Sequence, residues 1–182
     1  MSFFKSLPDG AGPRTIFTAY PEIYKAWSEV SQAIMNGPSD LTPGERELIL
    51  TYVVGAAGCE FIFVAHKEVA REWGIPEGLV EKLVEDFDSA DIEPRMKTLL
   101  GFVGKLMVTP TEVTQEDADA VFARGWSEKG VHDAIAVTAR ASFMQKLVHG
   151  YGFVPLDKDE AIKRAKGRVE KGYVGIFPEF DK

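Results

Sequence analysis

Apolar residues three and four positions apart mark out helices along most of this chain. From Pro21 to Met35, Ile23, Tyr24, Trp27, Val30 and Ile34 share one face, and Asn36-Gly37-Pro38 ends the segment. A central pair of helices follows. Thr42 is a suitable N-cap, Pro43 fits a first helical position that has no use for an N–H, and Glu45 stands where a capping box needs it. Leu48, Ile49, Tyr52, Val53 and Ala56 then form the stripe, with Arg46 and Glu47 at its edge, and Gly58 permits a break after Ala57. The next helix is expected from Cys59 to Trp73, with Gly74 as its left-handed cap and Pro76 opening another. Cys59, Ile62, Phe63, His66 and Val69 fall on one face of it.

The second half repeats the style without repeating the residues. Leu79, Val80, Leu83 and Val84 give a short helix from Pro76 to Phe87 whose acidic outer positions read as a solvated face. Pro94 opens a helix carrying Met96, Leu99, Leu100, Val103 and Leu106, closed by Pro110. Thr114 with Asp117 starts a helix to Arg124, and Ser127 caps a long one from Glu128 to His149. The small residues Ala134, Ala136, Ala139 and Ala141 should let the long helix approach the Cys59 helix closely. Residues 1–19, with Pro8, Gly10, Gly12 and Pro13, lack a period and read as an extended arm. Beyond Pro155 the chain is charged, with Ala161, Ile162 and Ala165 as a thin apolar stripe beside Lys163, Arg164, Lys166, Arg168 and Lys171. The tail from Gly172 to Phe180 has enough apolar residues to dock on its own domain or on another protomer.

Composition narrows the picture only modestly. The 182 residues are 45% hydrophobic and 27% charged, enough for one all-α domain with a substantial core. A formal net charge of −7 argues against a nucleic-acid partner. No apolar run is long enough to span a membrane, and the N-terminus is broken too early for a signal peptide, so a cytoplasmic protein is expected. The single Cys cannot form an intramolecular disulfide. Three scattered His and one Cys match no metal spacing, and no Gly-rich phosphate loop is present, so neither a metal nor a cofactor is expected.

The candidate chemistry lies between residues 42 and 76. Cys59 begins a helix, where the helix dipole favours a thiolate, although free Cys is also a common core residue. His66 has Glu47 on the preceding antiparallel helix as a possible carboxylate partner, which would make an acid–base pair. Seven residues of helical rise put Cys59 and His66 roughly 10 Å apart, too far for a direct hydrogen bond in a regular helix.

Glu47, Cys59 and His66, with Gly74 and Pro76 behind them, resemble the Glu-x11-Cys-x2-Cys-x3-His pattern of the alkylhydroperoxidase D-like proteins in the carboxymuconolactone decarboxylase superfamily. The resemblance extends from Tyr20 to Leu156 and includes Asp133–Val137, Phe143–Leu147 and Gly150–Phe153 as the second long helix and its exit. It implies an alkylhydroperoxidase D-like multihelical domain at residues 20–156, flanked by an arm at 1–19 and a C-terminal helix and tail at 157–182. It also implies Glu47, Cys59 and His66 as catalytic residues, and a homo-oligomer that the apolar ends would support. Ile62 replaces the second Cys of the peroxidase branch, and Phe61 stands where a His is common.

Three functions follow as expectations. The first is a peroxidase-related protein with altered or lost dithiol activity, its Cys59 oxidised to a sulfenic acid and reduced by an external thiol. The second is a lyase or isomerase in which His66 and Glu47 move a proton next to a carbonyl. The third is a non-catalytic small-molecule-binding oligomer. Phe61, Ile62, Phe63, Phe143 and Met144 are the expected pocket wall, apolar enough to favour an apolar or aromatic ligand.

Overall fold

The computed structural model describes residues 2–181, leaving Met1 and Lys182 outside the described residues. It is an all-α protein, and among the described residues there is no strand. Among the described residues nine α-helices run α1 Pro13–Ala19, α2 Pro21–Asn36, α3 Pro43–Ala56, α4 Glu60–Glu72, α5 Leu79–Glu85, α6 Pro94–Val108, α7 Gln115–Ala123, α8 Glu128–Tyr151 and α9 Lys158–Gly175. Short 3₁₀ turns follow α6 and α9.

Helix starts obey the local chemistry of the sequence. The Thr42 hydroxyl accepts from the Glu45 N–H at 3.2 Å while the Thr42 N–H donates to the Glu45 carboxylate at 2.7 Å, the reciprocal pairing of a capping box. Ser127 caps α8 through the Gly130 N–H, and Asp157 caps α9 through the Glu160 N–H, each at 2.9 Å. Gly74 takes φ 88° behind α4, a left-handed conformation that glycine adopts without a Cβ clash.

Helix α3 is the axis of the molecule. Every residue from Arg46 to Val54 is buried, because α4, α5, α6 and α8 pack around it and α2 closes its N-terminal end. The stripe of Leu48, Ile49, Tyr52 and Val53 therefore understates its burial, and Arg46 and Glu47 lie inside rather than at an edge. Arg46 is held by donating from Nη1 to the carbonyls of Ile34 and Gly37 at 3.0 and 2.9 Å, which ties the end of α2 to α3. Helix α8 packs mainly against α3 and α6 and touches α4 only lightly. The principal partners of α4 are α3 and α9, so the close approach expected between α8 and the Cys59 helix goes to α9 instead.

The two ends of the chain meet on this frame. Residues 13–19, expected as part of an extended arm, form a two-turn helix that buries Ile16 and Phe17. Seven residues are too few to show a helical period, but Pro13 supplies the start. Phe17 stacks on Tyr24 at 4.1 Å between ring centroids and meets Phe177 of the tail at 5.3 Å. Tyr173, Phe177 and Phe180 join the common core, so the tail docks on its own chain.

The docking turns on Gly172. Its φ of 67° and ψ of −166° interrupt the helical geometry of α9, and the next N–H, that of Tyr173, donates to Gln32 Oε1 of α2 at 2.6 Å. A Cβ at position 172 would lie 2.3 Å from the same oxygen. The left-handed conformation therefore demands glycine, and a Cβ there would also push the Gln32 amide off its bond to the Tyr173 N–H. Gly172→Ala should cost about 1–3 kcal/mol in urea unfolding, and an unchanged midpoint would show that the kink is dispensable.

Candidate active site

Glu47 and His66 face one another across α3 and α4. Glu47 is 2% exposed and His66 6%, and His66 Nδ1 lies 2.8 Å from Glu47 Oε2. The other carboxylate oxygen, Oε1, accepts from the Tyr173 hydroxyl at 2.6 Å. One buried carboxylate thus receives hydrogen bonds from α4 and from α9. Glu47 is itself held on α3 by register: the Thr51 hydroxyl donates to the Glu47 carbonyl at 2.7 Å one turn on.

The electrostatics assign the protons. Burial acts to raise the Glu47 pKa, but the facing His66, the hydrogen bonds from His66 and Tyr173, and the nearby Arg140 outweigh it and leave the carboxyl below its ordinary range. For His66 burial is the largest influence and lowers the pKa, with Arg168 and Arg140 adding to it; the Glu47 carboxylate pulls the other way without prevailing. Glu47 is accordingly ionised and His66 neutral near pH 7. Nδ1 carries the proton it donates to Glu47, which leaves the Nε2 lone pair as the base. Burial, reinforced by the Glu47 charge, raises the Tyr173 pKa and keeps the phenol a donor.

His66 forms part of the wall of a cavity of about 670 Å³. Phe61, Ile62 and Met144 also line it, together with Trp27, Ala65 and Phe177. Phe63 does not; its ring lies across Gly55 of α3, in the space a Cβ there would fill. Phe143 also lies outside the cavity, 41% exposed and stacked on Trp27 at 3.9 Å between centroids. Cys59 is the N-cap of α4, with 0% exposure and no place in the cavity wall. Burial pushes its thiol pKa up, offset only in part by the backbone N–H of Ile62. Glu47 and His66 are thus brought into contact, while Cys59 sits behind the wall.

Three site residues escaped the sequence reading. Tyr173 and Arg168 come from α9, and Arg140 comes from α8 with 5% exposure. The guanidinium carbons of Arg140 and Arg168 lie 4.4 and 4.8 Å from the centroid of the Tyr173 ring. The one available signal was Gly172, a break in a charged helical stretch immediately before an aromatic residue. For Arg140 there was none, since a lone Arg in a long helix ordinarily faces water.

The same fold and pairing of elements occur in proteins already known. The model of the carboxymuconolactone decarboxylase family matches residues 21–89. An alkylhydroperoxidase AhpD core protein, an uncharacterized peroxidase-related protein from Ralstonia eutropha JMP134, is 26% identical with a TM-score of 0.74, over 85% of this chain and 81% of its own. An uncharacterized peroxidase-related protein from Silicibacter sp. TM1040 is 23% identical with a TM-score of 0.72, over 79% of this chain and 76% of its own. The debrominase Bmp8, solved with 2,3,4-tribromopyrrole, shares the fold at 17% identity and a TM-score of 0.71, over 90% of this chain and 83% of its own. No curated protein matches the chain significantly. Residues 21–89 thus carry the carboxymuconolactone decarboxylase family pattern, and the chain is similar in fold to the alkylhydroperoxidase D-like, peroxidase-related proteins. Among the described residues no helix is long and apolar enough to cross a membrane, and no group of three or more His, Cys, Asp and Glu could hold a metal ion.

Two measurements check this arrangement. Tyr173→Phe leaves Glu47 Oε1 without a donor and should cost about 1–3 kcal/mol, read as a lowered urea midpoint at pH 7.5; a loss within error of zero would mean the bond contributes nothing. His66 has a folded pKa below its ordinary 6.5, so the unfolded chain takes up its proton first as pH falls and stability is lost below that value. Glu47 acts in the same direction below 4.5. Wild type should therefore lose stability between pH 7.5 and 5.5, and His66→Gln should flatten that loss. Parallel pH profiles for the two proteins would refute the assignment of a neutral His66.

Proposed function

We propose that the protein is an acid–base enzyme of its superfamily in which dithiol peroxidase chemistry has been lost, with His66 as the base. The observation that carries this reading is that His66 lines the cavity with Nδ1 engaged by Glu47, whereas Cys59 lies buried outside the cavity wall. In this mechanism Nε2 removes a proton from the carbon next to a substrate carbonyl, and the electron pair of that C–H bond moves onto the carbonyl oxygen. Glu47 stabilises the imidazolium that forms, and Tyr173 keeps the carboxylate oriented. Returning the proton to another carbon of the same skeleton makes the reaction an isomerisation; in a lyase version the electron pair of a C–CO2 bond, in place of a C–H bond, moves onto the carbonyl oxygen as carbon dioxide leaves, and the enolate then takes up a proton that solvent supplies through His66. Phe61, Ile62 and Met144 supply an apolar wall that favours a flat or aromatic substrate.

One feature favours a second reading. Cys59 stands at the N-terminus of α4, where the helix dipole favours a thiolate. There a thiolate would attack a hydroperoxide oxygen, releasing alkoxide and leaving a sulfenic acid for an external thiol to reduce. Access would require the wall around Ile62 to open. A cytoplasmic homo-oligomer fits either chemistry: Cys59 is a free thiol, and Ile23 and Val30 on α2 are 54% and 49% exposed, as residues awaiting a second copy would be.

The deciding experiment follows proton exchange into unsaturated keto acids and lactones in deuterated water, beside hydroperoxide consumption with a dithiol reductant. Exchange should fall by at least about 100-fold in His66→Ala and persist in Cys59→Ser. Hydroperoxide turnover that vanishes in Cys59→Ser and survives in His66→Ala would overturn the acid–base reading in favour of the cysteine.

A further inference from the structure

The cavity in front of His66 has a charge opposite to that of the protein. The chain carries a formal net charge of −7, yet Arg14, Arg140, Lys163, Arg164, Arg168 and Lys171 line the cavity and Glu160 is the one acidic residue among its lining residues. Glu160 is already engaged, by Arg164 at 2.7 Å and Lys163 at 3.8 Å. Arg14 bridges to Glu179 and donates to the Ile176 carbonyl at 3.0 Å. Glu47, behind the wall, is used by His66 and Tyr173. Arg140, Arg168 and Lys171 are left, among the described residues, without a carboxylate in salt-bridge contact, although Arg140 feels the charge of Glu47.

Arg140 is the decisive member of this group. Its guanidinium is buried at 5% exposure, and neither Nε nor Nη1 has a hydrogen-bond acceptor. Burying a guanidinium without an acceptor is costly, because the hydration it gives up is not replaced. The stacking on Tyr173 uses the ring face and satisfies none of the N–H groups. Burial lowers the Arg140 pKa, and repulsion by Arg168, which stands over the same ring, adds to it; Tyr173 and Glu47 pull the other way without prevailing. A second wall residue has the same deficiency: Ser31 of α2 is 1% exposed and its hydroxyl has no partner. A buried cation, a second cation over the same ring and an unpaired hydroxyl, all lining one cavity, constitute a site prepared for an anion. Opposite charge and hydrogen-bond need are met together by a carboxylate, whose two oxygens accept the parallel donors of a guanidinium.

We infer that Arg140, with Arg168 and Lys171 of α9 and the Ser31 hydroxyl, forms a carboxylate clamp, so that the substrate is a small organic acid with a flat apolar body. The body rests against Phe61, Ile62 and Met144, and the clamp sets which carbon faces His66. This specificity rests on the acid–base reading for its purpose, but the binding itself needs only the cavity. Helix α9 is then a recognition element, since Arg168, Lys171 and Tyr173 all come from it.

Calorimetric titration of the full-length protein with benzoate and trans-cinnamate, each beside its neutral amide, tests the clamp. The better-bound acid should bind at least about tenfold tighter than its amide. Arg140→Gln should remove that preference while leaving amide affinity within about twofold, and Arg140→Lys should restore part of it. Should Arg140→Gln fail to fold, the double variant R168Q/K171Q carries the same test from partly exposed positions, with the preference expected to shrink. Equal affinity for acid and amide in wild type, absence of binding by all four compounds at millimolar concentration, or a preference unchanged in the variants would overturn the clamp. His66→Ala should keep the preference, so a failed acid–base mechanism and a failed clamp give different results.

Discussion

A carboxylate sealed inside an apolar helix bundle has to be compensated, and in this protein much of the architecture around Glu47 does so. The charge sits on the most enclosed helix, α3, where an unpaired carboxylate would be several kcal/mol unfavourable. Compensation comes from two directions, the His66 ring on α4 and the Tyr173 hydroxyl on α9. Each donor in turn needs its own helix placed correctly. The position of α4 follows from the short turn at Gly58 after α3, and that of α9 follows from the bond between the Tyr173 N–H and Gln32 at the Gly172 kink.

This dependence makes the C-terminal helix part of the site rather than an appendage. It closes one side of the cavity, supplies the second donor to Glu47 and brings most of the positive charge that lines the opening. The first helix and the 3₁₀ turn at the end of the chain brace it, through Phe17 against Phe177 and through Lys25, which donates to the Phe180 carbonyl at 3.1 Å. The ordering of α9, the burial of Tyr173 and the protonation state of His66 are therefore coupled. Loosening α9 would admit water to Glu47 and change the surroundings of His66.

The same geometry separates the two chemistries that the superfamily pattern joins. A redox thiol needs exposure and a stabilised thiolate; Cys59 has the helix N-terminus but is buried, with its pKa raised. A general base needs an oriented neutral imidazole at a water-poor cavity, and His66 has that orientation from Glu47. Replacing the second cysteine by Ile62 places an aliphatic side chain in the cavity wall. The helix is retained and the dithiol is not.

Local chemistry in the sequence was enough to determine the helices from α2 to α8, because capping and periodicity act within a few residues, whereas the two turns of α1 were too short to show a period. Thr42, Pro43 and Glu45, Ser127, Gly58 and Gly74 stop and start elements wherever the chain lies. The spacing from Glu47 to His66 was also legible, since two antiparallel helices joined by a short turn leave few registers in which those residues can avoid each other. What tertiary structure alone decided was burial and company. Nothing local distinguishes an Arg46, Glu47 or Arg140 that faces water from one enclosed on every side; that depends on how many helices surround α3 and α8. The expectation that α8 would lie along α4 failed for the same reason, since small residues permit close approach without naming the partner. Tyr173 lies 126 residues from Glu47, and its role depends on where a kinked helix finally docks. Charge reversal at the cavity was equally invisible, because it arises from cations on α1, α8 and α9 converging in space while the chain as a whole is acidic.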